Sequence, residues 1–128
     1  MAVSFGVNTA NYNQQRQAMI KQRNNEIYAH ELAHKNAAGS LGGSIVIEKD
    51  SNGIPIGGHV NIKMPTLDKK NPDKTINHAE TVIKAAMAPG DPSEQDYKVA
   101  AQARSIKAEA QEQRTENKTC GQKLNIVV

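Results

Sequence analysis

The 128-residue chain predicts an α+β fold, with a long first helix, a β-hairpin and two further helices. Three observations predict it. Residues 11–38 contain neither proline nor glycine, and Ile20, Ile27 and His34 recur there at seven-residue spacing, as one face of a helix does. Residues 39–58 then gather glycine, β-branched residues and turn chemistry. Two later segments open with Asn71-Pro72 and Asp91-Pro92 and carry apolar residues every three to four positions.

The elements follow in order within one domain, 1–128. Residues 1–10 read as an N-terminal arm. The long helix ends at Ala37-Ala38-Gly39, where glycine accepts the left-handed conformation. Ser44-Ile45-Val46-Ile47-Glu48-Lys49 is a strand, Asp50-Ser51-Asn52-Gly53 a turn, and His59-Val60-Asn61-Ile62-Lys63 an alternating second strand. Gly57-Gly58 suggests a bulge in that strand. The second helix starts at Asn71-Pro72, buries Ile76, Ala79, Ile83 and Ala86 or Met87, and stops at Ala88-Pro89-Gly90. Asp91 then caps a third helix with Pro92 in its first turn and Val99, Ala103, Ile106 and Ala110 as its stripe. Residues 115–128 are polar, then end Leu124-Asn125-Ile126-Val127-Val128, and read as a tail.

Composition narrows the function. Hydrophobic residues make up 38%, with one Phe, three Tyr and no Trp, so the core must be built from small aliphatic side chains. A bound metal would add stability that such a core lacks. The lone Cys120 excludes an intrachain disulfide framework. No apolar run nears the ~20 residues of a membrane span. The first residues lack a basic segment and a sustained apolar stretch, so a cytoplasmic location is expected, with signal-less export compatible. The net charge is +3, but Arg104, Lys107, Arg114 and Lys118 alternate with Glu109, Glu112 and Glu116. With so few aromatics to stack on bases, that surface argues against nucleic acid.

Chemistry concentrates in His30-Glu31-Leu32-Ala33-His34, an H-E-x-x-H motif inside the long helix. Residues i and i+4 lie one turn apart on one face, so both imidazoles can reach one zinc ion, Zn2+. Glu31 is rotated about 100° from His30 around the axis. It therefore flanks the metal as a general base rather than occupying a ligand position. Glu26, one turn before His30, is a candidate to orient an imidazole.

The run from Glu26 to Gly39 resembles the metal motif of the SprA-related family, small bacterial proteins described as metalloproteases. Gly57-Gly58-His59-Val60-Asn61-Ile62 is similar to the family's Gly-Gly-Glu-Val stretch. Thr75-Ile76, the run from Ala85 to Asp96, and Val99 to Ala103 resemble its Ala-Pro-Ala-Asp-Pro-Ser segment and following helix. The likeness covers roughly residues 22–112 and implies a minimal zincin-like metallopeptidase domain.

Catalytic zinc commonly takes three protein ligands. Ala37 and Ser40 stand where the short metzincin extension has Gly and His, so the third ligand lies further on. His59 is the first candidate, because it replaces the family's Glu and both types ligate zinc. Alternation counts against it, placing His59, Asn61 and Lys63 on the face opposite Val60, Ile62 and Met64. His78 and Glu80 are the other candidates. The reading is a zinc metallopeptidase acting on a peptide or protein substrate, with Glu31 activating water and His30, His34 and His59 as ligands. The Ile45–Ile47 strand is a candidate edge for pairing with extended substrate. The alternative is a zinc-stabilised binding or adaptor protein without turnover, with four protein ligands.

Overall fold

Helix α1 spans Ala2–Ala38, strand β1 Gly42–Lys49, strand β2 Pro55–Ile62, helix α2 Pro72–Ala86 and helix α3 Glu94–Val127. The computed structural model describes backbone from residue 2 to 127 and side chains from residue 10 to 120. The arm expected at residues 1–10 falls almost wholly outside the described side chains, as does the end of the expected tail.

The order of elements is the predicted α+β one. α1 stops where glycine permits, at Gly39 with φ +58°, and a single 3-10 turn leads into β1. The hairpin turn is organised by Asp50, whose Oδ1 accepts the Asn52 N–H at 2.8 Å and the Ile54 N–H at 3.0 Å. Gly53 takes the positive φ of +78° that this turn needs. β1 and β2 pair antiparallel, with Ile45 opposite Val60 and Val46 opposite His59. The bulge in β2 is not at the glycines. Glu48 pairs with Gly57 and Lys49 with Pro55, which leaves Ile56 as the extra residue. Proline has no N–H for the ladder, and the irregularity sits beside it.

α2 is the centre of the core. Pro72, Thr75, Ile76, Ala79, Val82, Ala85 and Ala86 are buried along it, at the three- and four-residue steps of one helical face. The stripe is rotated slightly from the expected one, since Val82 rather than Ile83 is fully buried. α3 meets this face through Ala100, Ala103 and Ala110. Alanine on both sides allows the axes to close to the short end of the ~8–10 Å range. Asn71 makes no side-chain cap to α2. Asp68 instead accepts the N–H groups of Lys70 and Asn71.

The polar segment from Thr115 continues α3 as helix through the described residues. Arg114 reaches Asp73 at 3.1 Å, and the Asn117 side chain donates to the Lys69 carbonyl at 2.9 Å, tying this stretch to the start of α2. At the other end of the chain, residues 10–19 of α1 are exposed, and Arg16 donates to the Asn52 carbonyl of the hairpin turn. No helix among the described residues is long and apolar enough to cross a membrane.

Candidate metal centre

The inward face of α1 is carried by Ile27, His30, Glu31, His34 and Ala38, each half-buried or buried. The motif therefore lies where the helix turns toward the rest of the domain. His34 is 4% exposed, and its Nδ1 lies 2.7 Å from the carbonyl of Ala85. That carbonyl belongs to the last turn of α2, whose acceptors have few intrahelical partners. A carbonyl only accepts, so Nδ1 carries the hydrogen, and in the neutral ring Nε2 presents a lone pair. His30 is arranged alike, its Nδ1 standing 3.3 Å from Oδ1 of Asp91. Asp91 thus takes the orienting role expected of Glu26, which instead accepts from Gln22 at 3.1 Å.

The third group at this point is Asp96. Its Oδ2 lies 3.2 Å from His30 Nε2 and 3.1 Å from His34 Nε2, and the two Nε2 atoms are 3.2 Å apart. With both rings neutral and Nδ1 carrying the hydrogen, two nitrogen lone pairs and a carboxylate oxygen converge on one point. Ligands ~2.0–2.1 Å from a tetrahedral zinc stand ~3.3 Å from one another, close to the separations here. The Nδ1 contacts match the outer hydrogen bonds that metal-ligating histidines make. The donor set of two imidazoles and one carboxylate suits a divalent cation of the zinc type.

Asp96 owes its position to the start of α3. The Ser93 N–H donates to Asp96 Oδ2 at 2.7 Å, and the Asp96 N–H donates to Ser93 Oγ at 3.1 Å. This reciprocal pair is a capping box with Ser93, not Asp91, as the cap. Burial pushes the Asp96 carboxyl up, but the Ser93 amide, His34 and the remaining hydrogen bonds outweigh it and hold the group below the ordinary aspartate value.

The other predicted ligands are elsewhere. His59 borders the same cleft but is turned away from the two histidines, its Nδ1 paired with Glu48 at 2.9 Å and its side chain 45% exposed. The bulge at Ile56 precedes it and leaves its strand phase on the wet side. His78 Nε2 meets the Lys63 carbonyl at 2.7 Å, and Glu80 pairs with Lys107 at 3.3 Å. The structure brings none of these three to His30 and His34.

Glu31 is 6% exposed and sits between the two histidines and β2. Burial raises its carboxyl above the usual glutamate range, against the opposing pull of His34 and His30. Gly58 makes this close fit possible. A Cβ there would stand 2.7 Å from Ile27 Cγ2, 3.0 Å from Glu31 Cγ and 3.0 Å from the Val46 carbonyl. Gly58→Ala should therefore cost about 1–3 kcal/mol of stability in denaturant titration, because a backbone atom is among those that must move. An unchanged midpoint would show that the hairpin is not seated on α1 in this way.

A cleft of about 740 Å³ opens beside these groups. Its walls are α1, the first turns of α3 and the unbroken run from Gly57 to Ile62 of β2. Successive residues of both strand faces line it, as they do when a strand presents its edge. β1 lies on the other side of β2, so the edge beside the cleft belongs to β2 and not to the Ile45–Ile47 strand.

Fold and site together define a small α+β domain built around an H-E-x-x-H helix that a capped third helix closes with an aspartate. The chain matches the SprA-related family over residues 7–123 and belongs to it. No curated protein and no solved structure matches it.

Proposed function

We propose that the protein is a zinc-dependent peptidase, with His30, His34 and Asp96 as ligands and Glu31 as general base. The observation that carries this reading is the convergence of His30 Nε2, His34 Nε2 and Asp96 Oδ2 at mutual distances of 3.1–3.2 Å, beside a buried glutamate and an open cleft. Zinc held there would acidify water and polarise a scissile carbonyl. Glu31 takes the proton of the attacking water and passes it to the leaving amine. Substrate in extended form pairs with the free edge of β2, which sets its backbone beside the metal ligands.

Metal analysis and digestion test this together. The purified chain should hold about one zinc, and a peptide-library digest should be lost with chelator and restored by added zinc. Retained zinc without any cleavage would favour the zinc-stabilised binding protein. Cleavage that survives metal removal would reject both readings.

A further inference from the structure

The cleft carries a charge opposite to that of the whole chain. The protein has 16 Lys and Arg and a net charge of +3. None of those cations lines the cleft among the described residues, whereas Glu26, Glu31, Asp91 and Asp96 all do. Two of the four have inward duties: Asp96 meets both imidazoles, and Glu31 is nine-tenths buried beside them. A divalent cation would offset that pair, and Glu26 and Asp91 would remain. Asp91 leans on His30 with its side chain 93% exposed. Glu26 lies four residues, about 6 Å of helical rise, before His30 and lines the cleft with no cation paired to it among the described residues. A peptide laid along β2 would pass this carboxylate within a residue or two of the bond beside the metal ligands.

We infer that the cleft selects substrates with Lys or Arg close to the scissile bond, and that Glu26 reads this charge. The inference rests on the peptidase reading and names the substrate class of the same site. Its own residue is a specificity determinant, since Glu26 neither ligates nor accepts the reaction's proton. Solvent exposure of Glu26 moderates the effect. Opposed charges ~5–6 Å apart at a protein surface correspond to roughly a ten-fold preference, screened by salt.

The test uses the full chain with Glu31→Gln, loaded with zinc, as a non-cleaving binder. Two labelled peptides, identical except for Lys or Glu next to the central bond, are titrated by fluorescence anisotropy at low and high salt. The Lys peptide should bind about ten-fold tighter at low salt, with the gap shrinking as salt rises. Adding Glu26→Lys should invert the order while zinc content stays unchanged. Equal binding of the two peptides, or a preference that Glu26→Lys leaves intact, overturns the inference and leaves the peptidase reading standing. Failure of every peptide to bind the zinc-loaded chain overturns both.

Discussion

Glu31→Gln should leave zinc bound and slow peptide hydrolysis by about 10²–10⁴-fold, the range lost when a positioned base is removed. The substitution keeps the length and shape of the side chain. It therefore preserves the packing against Gly58, where a Cβ would approach Glu31 Cγ to 3.0 Å. What it removes is the ability to accept and return a proton. The proposed ligand atoms of His30, His34 and Asp96 are untouched, so zinc content per chain should equal that of the unsubstituted protein. The two measurements are made on one preparation: metal by emission spectroscopy, and kcat on a peptide the unsubstituted chain cleaves. Undiminished kcat with zinc present would remove Glu31 from the chemistry. Loss of zinc would move Glu31 from base to ligand.

Local chemistry made much of this molecule legible. Two imidazoles four residues apart must share a face on any helix, and the absence of proline and glycine over residues 11–38 secures the helix. Gly39 and the Asp50–Gly53 turn were readable because each needs only its own few residues. The C-terminal half of α3 was harder. Its polar composition suggested a tail, yet contacts from Arg114 and Asn117 to the start of α2 depend on packing that no local pattern announces.

The third group of the site was hidden for a related reason. Asp96 lies 66 residues from His30, and no periodicity connects them. The signal that could have found it is the sequence Ser93-Glu94-Gln95-Asp96, a four-residue capping box. Asp91-Pro92 is locally an equally good helix start, and with Asp91 as the cap nothing in the sequence sets Asp96 apart. His59 stands where the family stretch it resembles has a glutamate, which makes it a candidate ligand by residue type. Strand alternation argued the other way, and alternation prevailed: the glycines pair regularly with Glu48 and Ile47, so nothing between them and His59 reverses the side chain.

Removing the Asp96 charge should therefore cost the protein its metal, and removing His59 should not. Asp96→Asn retains an oxygen that can accept the Ser93 N–H, so the cap of α3 survives while a charged ligand is lost. Zinc affinity should fall by more than the ~10–100-fold that changes behind the ligands cause. Zinc should also stop raising the thermal midpoint, because stabilisation by a bound ion scales with how far its concentration exceeds Kd. Ser93→Ala is the matched control. It deletes the hydroxyl that accepts the Asp96 N–H at 3.1 Å and should cost about 0.5–2 kcal/mol of stability, yet keep the zinc-dependent rise. His59→Ala breaks only an exposed pair with Glu48, worth about 0–1 kcal/mol, and should bind zinc as the unsubstituted chain does. Competition with a chromophoric chelator reads all three affinities on one scale. The reverse order, with zinc lost from His59→Ala and kept by Asp96→Asn, would return the third ligand to β2 and require the hairpin to turn its outer face inward.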